Sequence, residues 1–288
     1  SIYQAASVSY DALINGLSIL FIGLCFYMAY GEKKKLTWKD TILLGSVLAV
    51  LFMCKYIYIC LGILVFLIPK EKFGKVKDYI QTFVISLIPV FIAVGVILLN
   101  SMIPTSTSVE IETSSEILEE VQNVAYTSQL DYVLHHPLQY VKILVSTIIV
   151  HFDFYMRMLN TFGWMNYPLD MLQYLVPMLM VAIAVLDSNG IEKKIKVFDR
   201  CVMFLGFLLV LVLGMTGIYL FDGNANVIGA QVIAGYQTRY AIPGLIVLLS
   251  SITSVNVKNS IKNFSYGVCS IMSAFLFYSA LRVLMMCY

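Results

Sequence analysis

"CVMFLGFLLVLVLGMTGIYLF", residues 201–221, decides the fold class. These 21 residues carry no charge, and a helix needs about 20 predominantly apolar residues to cross a hydrocarbon core of ~30 Å. The run is continuous rather than alternating in polarity. That excludes a strand of a transmembrane barrel, whose residues face lipid and lumen in turn, and predicts a membrane-spanning helix.

Similar runs recur near 12–30, 79–100, 170–186, 240–256 and 264–287. The whole composition agrees: 60% hydrophobic, 12% charged and a mean hydropathy of +0.85 over 288 residues, far from the quarter-charged balance of a soluble domain. The expected fold is all-α, a polytopic transmembrane helical bundle of six spans forming a single domain, 1–288. A net charge of +2, with basic residues in short clusters, gives no footprint for nucleic acid. The chain opens on Ser1 without a basic n-region or a small-residue cleavage site, so no targeting segment is visible.

The basic clusters report topology. "GEKKKLTWKD" (31–40), "PKEKFGKVKD" (69–78), the 187–200 loop with Lys193, Lys194, Lys196 and Arg200, and Lys258 with Lys262 hold 14 of the 19 Lys and Arg. Placing all four inside follows the positive-inside rule. It forces 41–68 to enter and return on one side, as a hairpin of two short helices turning around Lys55 and Tyr56. The rival topology lets 41–68 cross and makes 138–156 a span, which weakens the charge asymmetry. In the preferred arrangement 101–169 is extracytoplasmic, and 138–156 forms an interfacial helix there.

The outer segment turns acidic at Glu110, Glu112, Glu116, Glu119 and Glu120, without the Asp/Asn and Gly spacing of a calcium loop. Further on, Asp153 and Arg157 stand four apart and pair on a helix. Phe152, Phe154, Tyr155, Phe162, Trp164 and Tyr167 read as an interfacial aromatic belt, with sugar stacking as the alternative. His135, His136 and His151 form no metal motif, and the six cysteines lack CxxC spacing. No phosphate-binding loop, dinucleotide fingerprint, nucleophile elbow or HExxH is present. No metal and no cofactor is expected.

What remains is polarity at membrane depth, which is costly and therefore informative. Asp11, Asn15 and Ser18 draw a polar stripe down the first span, where Asp11 also complements the helix dipole with Ser9 as cap. Lys55, with Tyr56 and Tyr58, sits at the hairpin turn and requires a wet or anionic cavity. Gln237, Arg239 and Tyr240 stand at the outer mouth of the span that begins at Ala241.

"QAASVSYDALING" (4–16), "KYIYICLGILVFLIP" (55–69) and "GYQTRYAIP" (235–243), with "HHPLQY" and "FGWMNYPLD" between them, resemble the recurring motifs of the bacterial polytopic family catalogued as domain of unknown function 2142. The chain departs from the third motif at Tyr236, Thr238 and Ala241, where the family usually has Val, Gly and Phe. The resemblance implies kinship with the GT-C superfamily, membrane glycosyltransferases that take a sugar from a polyprenyl-phosphate carrier at the outer face of the bacterial cytoplasmic membrane, here for a cell-envelope glycan acceptor. It also implies that the catalytic carboxylate lies upstream of Ser1, with Asp11 or Asp153 assisting at most. Arg239, Gln237, Tyr240, Lys55, Tyr56 and Asn15 are the expected substrate-binding residues, because a guanidinium fork and an ammonium suit a lipid phosphate in a groove of low dielectric. The alternatives are a lipid-linked glycan flippase, which should show repeated broken helices, and a non-catalytic membrane partner of a glycan assembly complex.

Overall fold

The computed structural model describes residues 10–32, 35–73, 84, 87–92, 94–95, 128–160, 174–186, 195–221, 226–253, 259 and 261–287. Every regular element among them is helical. Helix α1 (Tyr10–Tyr30) is followed by α2 (Trp38–Cys54), a 3₁₀ arm (Tyr56–Leu67), α3 (Ser128–His135), α4 (Pro137–Val150), α5 (Phe152–Asn160), α6 (Leu175–Leu186), α7 (Val197–Phe221), α8 (Ile242–Ile252) and α9 (Phe264–Cys287).

Two of these, within α1 and α7, are long and apolar enough to cross a membrane, and the bent pair α3–α4 makes a third if taken as one span. The runs at 170–186 and 240–256 yield shorter helices: 12 residues in α6, and Thr238–Ile252 when the turn before α8 is included. The run at 264–287 forms the 24-residue α9, long enough to cross but less apolar than the first two. Most of 79–100, and all of 101–127 and 161–173, lie outside the described residues, as do Ser9 and the Arg157 side chain. The bundle is thus helical and membrane-borne, with fewer full-length spans among the described residues than the six expected. Its surface agrees with lipid as solvent, since α7 leaves Phe204, Leu205, Leu208 and Leu213 exposed where a soluble helix would carry polar groups.

The hairpin is present. Asp40 accepts hydrogen bonds from the Thr37 N–H at 2.7 Å and the Thr37 hydroxyl at 2.8 Å, fixing the start of α2. Its 17 residues rise ~25 Å at about 1.5 Å each. At Lys55 the backbone is extended, φ −161° and ψ 112°, and the chain turns into the 3₁₀ arm. Those 12 residues span ~24 Å at about 2.0 Å each, so the arm returns to the level it left. Closure is direct: the Leu36 N–H, ahead of α2, bonds the carbonyl of Lys72, beyond the arm, at 2.9 Å.

The arm buries Tyr58, Leu61, Leu64 and Leu67, a spacing of three that matches three residues per 3₁₀ turn. Its β-branched and aromatic composition disfavours a regular α-helix, and Pro69 ends it. With α1, α2, α7 and α8 it encloses the main core, in which Phe21, Cys25, Leu51, Leu61, Leu64, Val210 and Val247 are fully buried. Gly244 permits the tight contact of α8 on α7, because a Cβ there would lie 3.2 Å from the Cβ of Val210.

Cations close the helices at the Gly31 end of α1. Lys72 donates to the carbonyls of Met28 (2.8 Å) and Gly31 (2.9 Å), and Arg200 donates to those of Ser251 and Thr253 at the end of α8. Both satisfy orphan carbonyls and oppose the negative pole of a helix dipole. Tyr30 donates to Asp199 at 2.9 Å, tying α1 to α7 at the same level.

At the other end, α3 and α4 bend by 104° at His136, where Pro137 restarts the helix. A second core of Tyr140, Ile143, Leu144, Tyr155, Met215, Tyr219, Ile233 and Tyr236 seats α4 and α5 against α7 and the 226–237 loop. The opposite face of α4 exposes Leu138, Val141, Val145 and Ile149, Leu138 at 85%, an apolar stripe suited to lipid. Asp153 accepts from the Tyr174 hydroxyl at 2.5 Å.

Candidate functional site

The charged cluster at the start of α1 is assembled from three separate elements. Asp11 lies in the first turn of α1, Lys55 at the tip of the hairpin, and Arg239 in the 3₁₀ turn Thr238–Ala241 that leads into α8.

Side chains borrowed from other helices hold the Arg239 segment. Thr147 of α4 accepts from the Ile233 N–H at 2.8 Å, and the Thr238 hydroxyl donates to the Tyr155 carbonyl at 3.1 Å. Asn226 bridges the loop, accepting from the Ala234 N–H at 2.8 Å, while buried Gln129 donates to the Asn226 carbonyl at 2.7 Å. Gly235, at φ +84°, takes the left-handed conformation that glycine alone adopts without strain. The turn there delivers Tyr236 inward against Gly214 of α7, where a Cβ would meet its ring at 3.0 Å.

Within the cluster, the Arg239 guanidinium pairs with the Asp11 carboxylate at 3.0 Å, the two side chains being 36% and 9% exposed. Lys55 places its ammonium 3.3 Å from the ring centroid of Tyr240. The Arg239 guanidinium carbon is 5.3 Å from the same centroid, so two cations lie over one aromatic ring, each attracted by the ring quadrupole. Tyr58, buried in the hairpin, donates to the Tyr240 carbonyl at 3.1 Å and locks tip to turn. Tyr236 packs edge-on against Tyr155 (5.6 Å) and Tyr240 (6.0 Å). Its hydroxyl is buried and finds no hydrogen-bond partner among the described residues.

Of the residues expected from sequence, Asp11, Lys55, Arg239 and Tyr240 are brought together. Asn15 follows one turn below Asp11, half-buried, and Ser18 is fully buried below that. Gln237 is half-buried beside the turn, and its carbonyl accepts from the Tyr240 N–H at 3.0 Å. Tyr56 faces away: it is 57% exposed and packs on Phe52, while Tyr58 takes the inward place. Asp153 is engaged by Tyr174. Tyr155 and Tyr236 join the site without a local sequence signal, since ring contacts between distant segments leave no spacing to read.

Among the described residues the cluster holds two cations against one carboxylate, at the end of an apolar bundle, an arrangement able to accept an anion. No curated protein and no solved structure matches the chain. The sequence model of the family described as "Predicted membrane protein (DUF2142)" matches residues 1–249. The chain belongs to that family of membrane proteins.

Proposed function

We propose that this chain is a lipid-binding, glycosyltransferase-like membrane protein of the GT-C kind. It grips the phosphate of a polyprenyl-phosphate-linked sugar at the outer face of the bacterial cytoplasmic membrane, for transfer to a cell-envelope glycan acceptor. The observation that carries this reading is the convergence of Lys55 and Arg239 on Tyr240. The two cations come from a hairpin tip and a loop turn whose positions are fixed by separate contacts, an arrangement suited to an anion held at a fixed point.

Sugar transfer from a lipid phosphate leaves negative charge on the departing phosphate, and prepositioned cations stabilise that charge as it develops. Arg239 supplies a planar fork matched to phosphate oxygens, and Lys55 a point charge. Asp11 holds Arg239 in place.

The experiment is sugar transfer by the full-length protein in proteoliposomes, with a panel of radiolabelled polyprenyl-phosphate sugars and cell-envelope acceptors. Transfer from at least one donor, lost in Arg239→Ala, supports the reading. Donor binding without turnover across the panel moves the protein to the class of non-catalytic partners.

A further inference from the structure

The base of the hairpin and the start of α7 enclose a second cleft, at the end of the bundle away from Arg239. Tyr30 ends α1 ~28 Å from Asp11, at about 1.5 Å per residue. Two contacts fix the walls: Lys72 donates to the Met28 and Gly31 carbonyls of α1, and Tyr30 donates to Asp199 of α7. The cleft between them measures about 790 Å³, within the ~300–1,000 Å³ of small-molecule sites.

The lining divides by chemistry. Leu67 and the rings of Phe66 and Phe198, 51% and 61% exposed, make an apolar side. Lys70 and Lys196, both exposed, stand on the rim with Glu71. Asp199 is buried, where it accepts from the Tyr30 hydroxyl at 2.9 Å and the Lys196 N–H at 3.4 Å. Exposed rings beside a lysine rim match an amphiphile at the membrane surface, its head on the rim and its chains along the rings. The sequence supplies the sign of the head. Segments 31–40, 69–78, 187–200 and 254–263, which flank the helices at this end, hold 14 of the 19 Lys and Arg but only 7 of the 17 Asp and Glu. The positive-inside rule gives such a face to the cytoplasm, where the leaflet carries anionic lipid and basic pockets between helices receive its headgroups.

We infer that this cleft binds an anionic phospholipid of that leaflet. Its phosphate lies at Lys70 and Lys196, the hydroxyls of a glycerol headgroup donate to Glu71, and its chains run against Phe66 and Phe198. The lipid joins the hairpin arm to α7, and it requires nothing of the chemistry at Arg239.

The test is native mass spectrometry of the purified protein in detergent, with phosphatidylglycerol and phosphatidylcholine of identical chains. The unmodified protein should prefer phosphatidylglycerol by about tenfold or more. Lys70→Gln combined with Lys196→Gln should bring that preference to within about twofold, and Lys196→Gln alone should lower it if the double variant does not fold. Lys39→Gln combined with Lys262→Gln removes the same charge from exposed positions outside the cleft, and should leave the preference in place. Equal losses in the two pairs would overturn the site, leaving a basic surface without a pocket. Equal binding of both lipids by the unmodified protein would overturn the anionic occupant. Glycerophosphoglycerol, the same headgroup without chains, should not displace the lipid at equal concentration; displacement would overturn the lipid as the ligand.

Discussion

Arg239 and Asp11, drawn from near opposite ends of the chain, meet at 3.0 Å where the first helix begins. An interfacial anchor needs only a positive charge and a flexible stem, whereas a phosphate grip needs the bidentate fork. The pair lets these roles be separated, because lysine can still answer Asp11.

Arg239→Lys should therefore leave membrane insertion and thermal stability close to those of the unmodified protein. Binding of a polyprenyl-phosphate donor should weaken about tenfold or more, equivalent to roughly 1.4 kcal/mol. Equal donor affinity in the two proteins would return Arg239 to the class of anchors.

The hairpin predicts sidedness. Leu36 and Lys72 are bonded at its base, so Lys70 lies on the side from which α2 starts, and His135 lies by the second core at the other end of the bundle. Cysteines placed singly at these two positions, in a background without the six native ones, should react with an impermeant maleimide from opposite faces of intact vesicles. Reaction of both from one face would contradict the arrangement.

The sequence made Lys55 legible as a turn because two apolar arms of similar length flank one charge, and the basic clusters at both bases demand the same side. It could not separate Tyr56 from Tyr58. Their places follow from the period of three in Tyr58, Leu61, Leu64 and Leu67, and a continuously apolar run hides whether its period is 3.0 or 3.6. The run at 240–256 read as a full span because its residues are apolar throughout, yet α8 stops at Ile252. Arg200 from α7 takes the carbonyls of Ser251 and Thr253, ending the helix by a contact that lies outside the run. The Asp11–Arg239 pair has the same character: each residue was marked by its cost at membrane depth, and their partnership exists only in the packed bundle.

Two buried tyrosines should respond in opposite ways to loss of their hydroxyls. Tyr58 donates to the Tyr240 carbonyl, so Tyr58→Phe removes a bond worth about 1 kcal/mol and leaves a buried acceptor short of a donor. The Tyr236 hydroxyl has no partner among the described residues, so Tyr236→Phe should be neutral or stabilising. Thermal melts of the purified variants in one detergent check this; a larger loss for Tyr236→Phe than for Tyr58→Phe would show that the two hydroxyls have been ranked wrongly.

The role of Tyr240 can be divided between its ring and its hydroxyl. The ring receives Lys55 at 3.3 Å, a contact worth about 0.5–2 kcal/mol according to its exposure to water, while the hydroxyl lies 3.5 Å from an Arg239 nitrogen, at the limit of a hydrogen bond. The ring should therefore matter more. Tyr240→Phe is expected to bind a lipid phosphate within about threefold of the unmodified protein, and Tyr240→Leu to lose about tenfold or more, roughly 1.4 kcal/mol. Because the ring acts by holding Lys55, combining Tyr240→Leu with Lys55→Met should cost clearly less than the two single losses together, as coupled neighbours do. Additive losses in that cycle would show that ring and ammonium act independently, and a loss in Tyr240→Phe as large as in Tyr240→Leu would transfer the role to the hydroxyl.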